Sequence, residues 1–429
     1  MAAMKSAADR QTIRSLDRSS LEAYQLTRLE VLFRETLPQN PFYKERLPDL
    51  HSPPTQIDQL AELPFTTKAE LAGTTKDGWA AHRTFPVERY TRFHQTSGTH
   101  GEHPLILLDT PEDWQWWIDC WHYVLDAAEI TATDRCFLAF SFGPFIGFWS
   151  AFDALADRGS LALPGGGLSS LARLQRIEEA GATCLLSTPS YALRLAEVAA
   201  EEQIDLRGGP INKIIVAGEP GGSIASVRER IESIWGAQVL DHAGATEIGA
   251  WGFGKLNEPG LYINEGEFIA EFIDPQSDRP VAEGELSELV ITALGRAGHP
   301  LLRYRTGDLV RHRNPLPEDA TRFVSLVDGI LGRTDEMVII RGVNILPSAV
   351  EQIVRQFDIP EFRLTAKREG AMDNLSIEVE TTAACAENVR ESLQVRFGLR
   401  IDVTAVPEKS LPRFEGKVKR FVDLRKKAI

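Results

Sequence analysis

The segment HQTSGTHGEHPLIL, from His94 to Leu107, gathers Thr96, Ser97, Gly98, Thr99 and Gly101 directly after a short strand-like run. Such residues build ordinary turns, through local hydrogen bonds and tolerance of positive φ. They also build phosphate loops, in which glycines let backbone N–H groups approach an anion and hydroxyls add further donors. Later motifs have the same double character. AGEPGGS, Ala217 to Ser223, follows the apolar run KIIVAG, so it sits where a parallel strand gives way to a helix, the strand edge at which open α/β sheets bind ligands. DHAGATEIG, Asp241 to Gly249, follows the strand-like AQVL and ends in Thr246 and Glu247. A hard oxygen ligand there could hold Mg2+ beside phosphates. In YRTGDLV, Asp308 follows Thr306 and Gly307, a carboxylate on a turn that could accept both hydroxyls of a ribose. GRTDEMVIIRGVNILPSAVE and LPRFEGKVKRF put Arg333, Asp335 and Lys417 in Gly-bearing, exposed loops. Taken singly, each has a structural alternative: a helix N-cap for Thr246, a turn aspartate for Asp308, a solvated basic tail for Lys417.

The elements that must position these residues are read from pattern. At 429 residues and 43% hydrophobic content the chain has room for two or three domains with sizeable cores. Amphipathic stretches such as SLARLQRIEEAG and SYALRLAEVAAEE alternate with short apolar runs such as TCLLSTP and NKIIVAGEP, which predicts βαβ units and a largely parallel sheet with helices on both faces. From about Glu265, strand-like pieces joined by Pro, Gly and Asp turns predict an antiparallel or barrel-like part. Near Gly332 the charge balance changes. Residues 333–429 carry 17 basic and 15 acidic side chains, and residues 1–332 carry 30 and 46, which supports a boundary between two domains there. A net charge of −14 leaves no overall positive field to collect nucleic acid. Cys120, Cys136, Cys184 and Cys385 form no CxxC pair, which fits a reducing cytoplasm better than a disulfide framework. The polar N-terminus lacks the apolar core of a secretory signal. Cys136 to Phe152 carries no charge over 17 residues, but Gly143, Pro144 and Gly147 interrupt it, so a buried strand, a tight turn and a helix start are expected instead of a membrane span.

Together and in this order, TSGTHG, AGEP, GATE, YRTGD, GRTDEMVIIRGVN and LPRFEGKVKR resemble the motifs of the adenylate-forming superfamily of acyl-CoA ligases, most closely its phenylacetate-CoA ligase branch. The matches run from residue 94 to residue 420, and GVNILPSAVE and TPSYALRLAE are particularly similar to that branch. The resemblance implies a two-step reaction: a carboxylic acid attacks the α-phosphorus of ATP to give an acyl-adenylate and pyrophosphate, and the thiol of coenzyme A then displaces AMP. It implies an α/β domain over 1–332, with parallel sheets, flanking helices and a barrel-like β part, and a small mobile α+β domain over 333–429. By the same resemblance, Thr96, Ser97, Gly98, Thr99 and Gly101 handle the departing pyrophosphate. Gly218, Glu219 and Pro220, with Asp241, His242, Ala243 and Gly244, border the nucleotide. Glu247 is the Mg2+ ligand with Thr246 at the α-phosphate, Asp308 binds the ribose, Arg333 supports the nucleotide, Thr334 and Asp335 form the hinge, and Lys417 supplies a mobile ammonium.

Some positions depart from the pattern. His100 stands where a second small hydroxyl residue is usual, Glu102 replaces a common lysine, and Ala243 takes the place of a tyrosine that packs near the adenine. His242 beside it either compensates or lines the acyl pocket. Gly254 and Tyr262 stand where some relatives carry metal ligands, so no structural zinc is expected. Ser141, Phe142, Phe145, Ile146 and Trp149 follow an apolar strand, and with His242 they form a candidate pocket for a flat aromatic acid, aryl or arylacetic. His242 and Ser141 are the candidate polar partners for a hydroxyl or amino substituent. Two other functions share the motifs: an adenylating enzyme that loads the phosphopantetheine thiol of a carrier protein, and a catalytically inactive nucleotide-binding module. Retention of Glu247, Asp308 and Lys417 argues against the second. Neither a nucleic-acid partner nor a membrane is expected.

Overall fold

A computed structural model describes residues 5–47, 52–74, 78–96, 104–340, 343–369, 372–413 and 420–425. Its centre is a nine-stranded mixed sheet. Leu161–Pro164, Arg135–Leu138, Cys184–Ser187, Lys213–Ala217 and Gln238–Ala245 lie side by side and parallel, and Gly249–Lys255, Glu258–Ile263, Ser325–Leu326 and His312–Arg313 continue the sheet antiparallel. Cys184–Ser187 and Lys213–Ala217, inside the sheet, are apolar at successive positions because both faces are covered. Cys184, Leu186, Ile215 and Leu240 enter a core with the helices Pro111–Ala127 and Ile146–Asp157. Leu185, Ile214, Val216 and Val239 enter a second core with Ser170–Ala180, Pro189–Glu201 and Ala225–Trp235. The uncharged stretch from Cys136 is the expected buried strand, turn and helix start. No helix among the described residues is long and apolar enough to cross a membrane.

The strands expected to be barrel-like form an open sheet. Phe268–Ile273, Ser287–Ala293, Tyr304–Val310 and Gly332–Arg333 pair antiparallel in that order. After Gly332–Arg333 the chain enters a small α+β unit with a core of its own, in which Val338, Leu364, Ile377, Val389 and Leu393 pack together. Its sheet runs Asp402–Val406, Met372–Glu380, Phe362–Glu369, Phe421–Asp423, with helices Pro347–Val354 and Ala383–Phe397.

The N-terminal helices Ala7–Arg14 and Arg18–Val31 are fastened to the large part by Arg10 on Asp126, Arg18 on Glu265 and, most deeply, by a third carboxylate. Glu267, fully buried, accepts from Lys5 Nζ, from Arg28 Nη1 at 2.6 Å and from Trp116 Nε1 at 2.7 Å. Burial alone would raise the Glu267 carboxyl, but Arg28 and Lys5 outweigh it and hold the group below its ordinary 4.5. A depressed folded value means that this contribution to stability is present above the unfolded value and lost as acidification passes through the lower folded one. Glu267→Gln should therefore cost about 3 kcal/mol near neutrality, the scale for breaking a buried pair, and flatten the acid limb of the stability curve. Urea unfolding at pH 7 and pH 4 measures both effects.

Candidate active site

The hydroxyl- and glycine-rich segment follows one of two paired strands in sequence and precedes the other. Arg92–Gln95 and Ile106–Asp109 pair antiparallel, and Thr96 extends the pairing by accepting from Leu105 N at 3.0 Å on its hydroxyl and donating its own N–H to Leu105 O at 3.0 Å. Ser97, Gly98, Thr99 and Gly101, with His100 and Glu102, lie outside the described residues. The second strand ends at Asp109, which is fully buried and takes both arms of Arg296: Nε to Oδ1 at 2.7 Å and Nη2 to Oδ2 at 2.9 Å. Burial raises the Asp109 carboxyl, and the Arg296 charge and His94 overcome this and hold it low. The remaining arm of Arg296, Nη1, donates to the carbonyls of Thr246 at 2.8 Å and Glu247 at 3.1 Å.

Thr246 and Glu247 are thus on a turn between the strands Gln238–Ala245 and Gly249–Lys255, not at a helix start. Gly249 lets that turn close: at φ +140° a Cβ would stand 2.8 Å from Phe268 and 3.0 Å from Trp116. The Glu247 side chain is buried against Tyr304, whose phenol is raised by burial and by the Glu247 charge. Tyr304 opens the YRTGD strand.

Asp308, expected on a turn, lies within the strand Tyr304–Val310. The register shift against Glu288–Val290 makes a bulge through Gly307, φ +77°, and the bulge supplies the local irregularity in place of a turn. A Cβ at Gly307 would lie 2.7 Å from Arg333 Nη2, so glycine lets Arg333 approach. Arg333 Nη1 reaches Asp308 Oδ1 at 3.2 Å, and its Nε donates to Asp335 Oδ1 at 2.9 Å. Thr334 and Asp335 form the turn between Gly332–Arg333 and the first strand of the small unit, Val338–Ile340, with Thr334 N donating to Gly307 O at 2.7 Å.

The AGEP turn follows Lys213–Ala217, with Gly218 at φ +93°. Glu219 accepts from Ser190 N at 2.8 Å and from the Ser190 hydroxyl at the start of the helix Pro189–Glu201. Pro220 is exposed, and the turn is tied underneath by Ser223, whose hydroxyl donates to Asp241. Asp241 is buried, and that burial pushes its carboxyl up to about 6. A Cβ on Gly222 would stand 2.5 Å from Asp241 Oδ1. Asp241 therefore holds the turn from within. His242, one residue on, faces the opposite side of the sheet and packs on Trp121 with ring centroids 4.3 Å apart. Ala243 packs against Gly252 and Gly244 is exposed.

Of the candidate pocket residues, Ile146 is buried in the core that holds Trp121. Phe142 packs edge-on against Trp149 at 4.9 Å, and Trp149 Nε1 donates to Gly143 O at 2.9 Å. Gln95 N donates to Pro144 O at 2.9 Å, joining this turn to the strand Arg92–Gln95. Ser141 and Phe145 are exposed. Where some relatives carry metal ligands, a Cβ on Gly254 would stand 2.8 Å from Asp241 O, and Tyr262 stacks on Phe253.

Lys417 lies outside the described residues. The arginines that flank its segment are held within the small unit, Arg413 Nη2 by Glu380 Oε2 at 2.7 Å and Arg420 Nη1 by Glu351 Oε1 at 3.0 Å, and Arg413 Nε also comes within 3.7 Å of Glu197 Oε2 in the large part. Lys409 and Arg230 add ion pairs to Glu201 at 2.7 Å and Asp358 at 3.4 Å. Sequence reasoning did not single out Asp109, Arg296 or Tyr304. One signal was available: Arg296 stands in GRAG, and Cβ atoms on Gly295 and Gly298 would each lie 2.2 Å from Trp116 and Asp113 respectively, so glycines on both sides let this arginine sink into the core.

Residues 342–425 match the AMP-binding enzyme C-terminal domain family. A phenylacetate-coenzyme A ligase of Escherichia coli (strain K12) is 30% identical over 94% of this chain and 95% of its own length. Another, of Pseudomonas putida, is 28% identical over 97% and 98%. In fold, the chain is similar to a 2-hydroxyisobutyryl-CoA ligase in the postadenylation state in complex with 2-HIB-AMP, with a TM-score of 0.89 at 24% identity, covering 98% of this chain and 94% of that one. Against the same ligase in the thioesterification state, with 2-HIB-AMP and CoA, the TM-score is 0.73 at 26% identity, covering 99% and 94%. By its near full-length identity to the bacterial enzymes and its ordered motifs, this chain belongs to the phenylacetate-coenzyme A ligase family of AMP-forming acid-thiol ligases.

Proposed function

We propose that this ligase activates an aromatic carboxylic acid, aryl or arylacetic, and passes its acyl group to coenzyme A. The coarse reaction is the family's: the carboxylate attacks the α-phosphorus of ATP, the bond to the β-phosphate breaks and pyrophosphate leaves, and the thiol sulfur then attacks the acyl carbon and expels AMP. ATP, Mg2+ and coenzyme A are its cofactors. The observation that carries the aromatic reading is the run of rings from Phe140 to Phe152, in which Phe140 stacks on Phe148 at 3.7 Å and Phe142 packs against Trp149 and Phe152. Flat apolar walls of this kind suit an aromatic ring.

In this reading the Thr96–Gly101 loop receives the departing pyrophosphate, the AGEP turn borders the adenine, Asp308 takes the ribose hydroxyls and Arg333 steadies that carboxylate. The buried Glu247 carboxylate is a hard oxygen donor suited to Mg2+, with Thr246 beside it. Bound there, Mg2+ would neutralise phosphate charge. Because two anions must meet, positioning and positive charge do the catalysis, and Lys417 brings the ammonium. Residues 1–332 and 333–429 then act as two bodies about Thr334 and Asp335, and the lower TM-score against the thioesterification state, at 99% coverage of this chain against 98%, supports such a rearrangement.

ATP-pyrophosphate exchange over a panel of aromatic and aliphatic acids tests the substrate class, and thioester formation with free coenzyme A tests the acceptor against a carrier protein. Lys417→Ala should slow adenylate formation about a hundred- to thousandfold and still convert a supplied acyl-adenylate and coenzyme A to the thioester. Normal adenylation by that variant would remove the lysine from the mechanism. Asp308→Ala should weaken ATP binding at least tenfold in calorimetric titration, since each lost charge-assisted hydrogen bond is worth about 1.5 to 3 kcal/mol. Unchanged affinity would exclude the ribose role.

A further inference from the structure

Nδ1 of His242 lies 2.7 Å from the carbonyl oxygen of Gly252. A carbonyl only accepts, so Nδ1 carries the proton. Burial pushes the imidazole down to about 4, and the ring is neutral at physiological pH. Nε2 is then a bare lone pair, able to accept and unable to donate. The residue is 6% exposed, yet Nε2 has no hydrogen-bond partner among the described residues and is not one of their closed-off polar atoms.

Among the described residues, none donates to it. Trp121 covers the ring, but its own Nε1 is committed to Ser150 Oγ at 2.8 Å. Nε2 is on the side of Gly244: a Cβ there would stand 3.5 Å from it, and Gly244 is exposed, so the absence of a side chain keeps that approach open. The approach leads along the strand to the Thr246–Glu247 turn. Strand alternation sets His242 on the face that carries Trp121, Phe140 and Ile146, whereas Asp241 and Ser223 lie on the other face with the AGEP turn. Of the two positions considered for His242, beside the adenine or in the acyl pocket, this geometry favours the acyl pocket. Ser141, the other candidate polar partner, is exposed.

We propose that the acid this enzyme activates carries a hydroxyl or amino group that donates a hydrogen bond to His242 Nε2. This rests on the ligase reading above and narrows it to donor-bearing acids. A buried acceptor left unpaired costs enough to discriminate, and a site built for a hydroxyl rejects the analogue that lacks it. A methyl ether, which has no proton to give, should be rejected with the unsubstituted parent.

The test is kcat/KM for thioester formation by the full-length enzyme with matched triplets: hydroxy- or amino-substituted benzoates and phenylacetates at each ring position, their unsubstituted parents and their methyl ethers, with aliphatic hydroxy acids and their parents alongside. The wild type should prefer a donor-bearing acid over both counterparts by about ten- to hundredfold at one ring position. His242→Leu should bring that ratio to within about threefold by lowering the rate with the donor-bearing acid. The wild-type ratio is independent of how any variant folds. Equal kcat/KM across every triplet, or a preference that survives in His242→Leu, overturns the proposal while leaving the ligase reading standing. Turnover of aliphatic acids alone would instead overturn the aromatic reading, and the hydroxy-to-parent ratio in that series then decides for or against His242.

Discussion

The arrangement of the site depends on the fully buried pair between Asp109 and Arg296. Each member comes from a different motif neighbourhood. Asp109 ends the strand that follows the hydroxyl- and glycine-rich segment, and Arg296 precedes the strand that carries Tyr304 and Asp308. Removing two charges from water is costly, and such a pair adds little to stability over an apolar replacement. Its value is geometric. The planar guanidinium has donors to spare after satisfying the carboxylate, and the third arm fixes the carbonyls of Thr246 and Glu247. One fork thereby ties the strand that follows the segment expected to meet the pyrophosphate to the turn whose carboxylate is expected to meet Mg2+.

Around that fork, close packing leaves little slack. Trp117 lies under the Arg296 guanidinium at 5.5 Å, and Gly295 and Gly298 hold the arginine's backbone against Trp116 and Asp113. The central sheet divides the remaining work between its faces. Asp241 and Ser223 brace the AGEP turn on one side, and His242, Trp121 and Ile146 occupy the other. A nucleotide and an acyl group can thus meet at one strand end while touching different walls.

Motif residues were legible in the sequence because the chemistry restricts their types. A phosphate loop needs glycines and hydroxyls, and AGEP and GATE were expected at the strand ends where they are found. The alternation of apolar runs and amphipathic stretches also gave the parallel sheet, since strands buried on both faces cannot be polar. What escaped depends on contacts far apart in the chain. Asp109 and Arg296 are separated by 187 positions, and Asp109 in DTPED reads locally as part of the helix cap that Thr110 and Asp113 form. The bulge at Asp308 needed the register against Glu288, and the open form of the second sheet needed its edge strands. Neither is encoded in a local pattern. The orientation of His242 was ambiguous for the same reason: alternation in a strand is clear only once its partners are known.

The most direct measurement of this positional account uses Arg296→Lys. Lysine keeps a positive charge for Asp109 but cannot form the planar fork that also reaches two carbonyls. A displacement of about 1 Å at a reacting group can cost on the order of a hundredfold in rate. Adenylate formation from ATP and acid should fall at least tenfold in this variant, with a raised Mg2+ requirement, while thioester formation from a supplied acyl-adenylate stays within about threefold of wild type. Equal losses in both half-reactions, or wild-type adenylation at unchanged Mg2+, would contradict the positional role of Arg296.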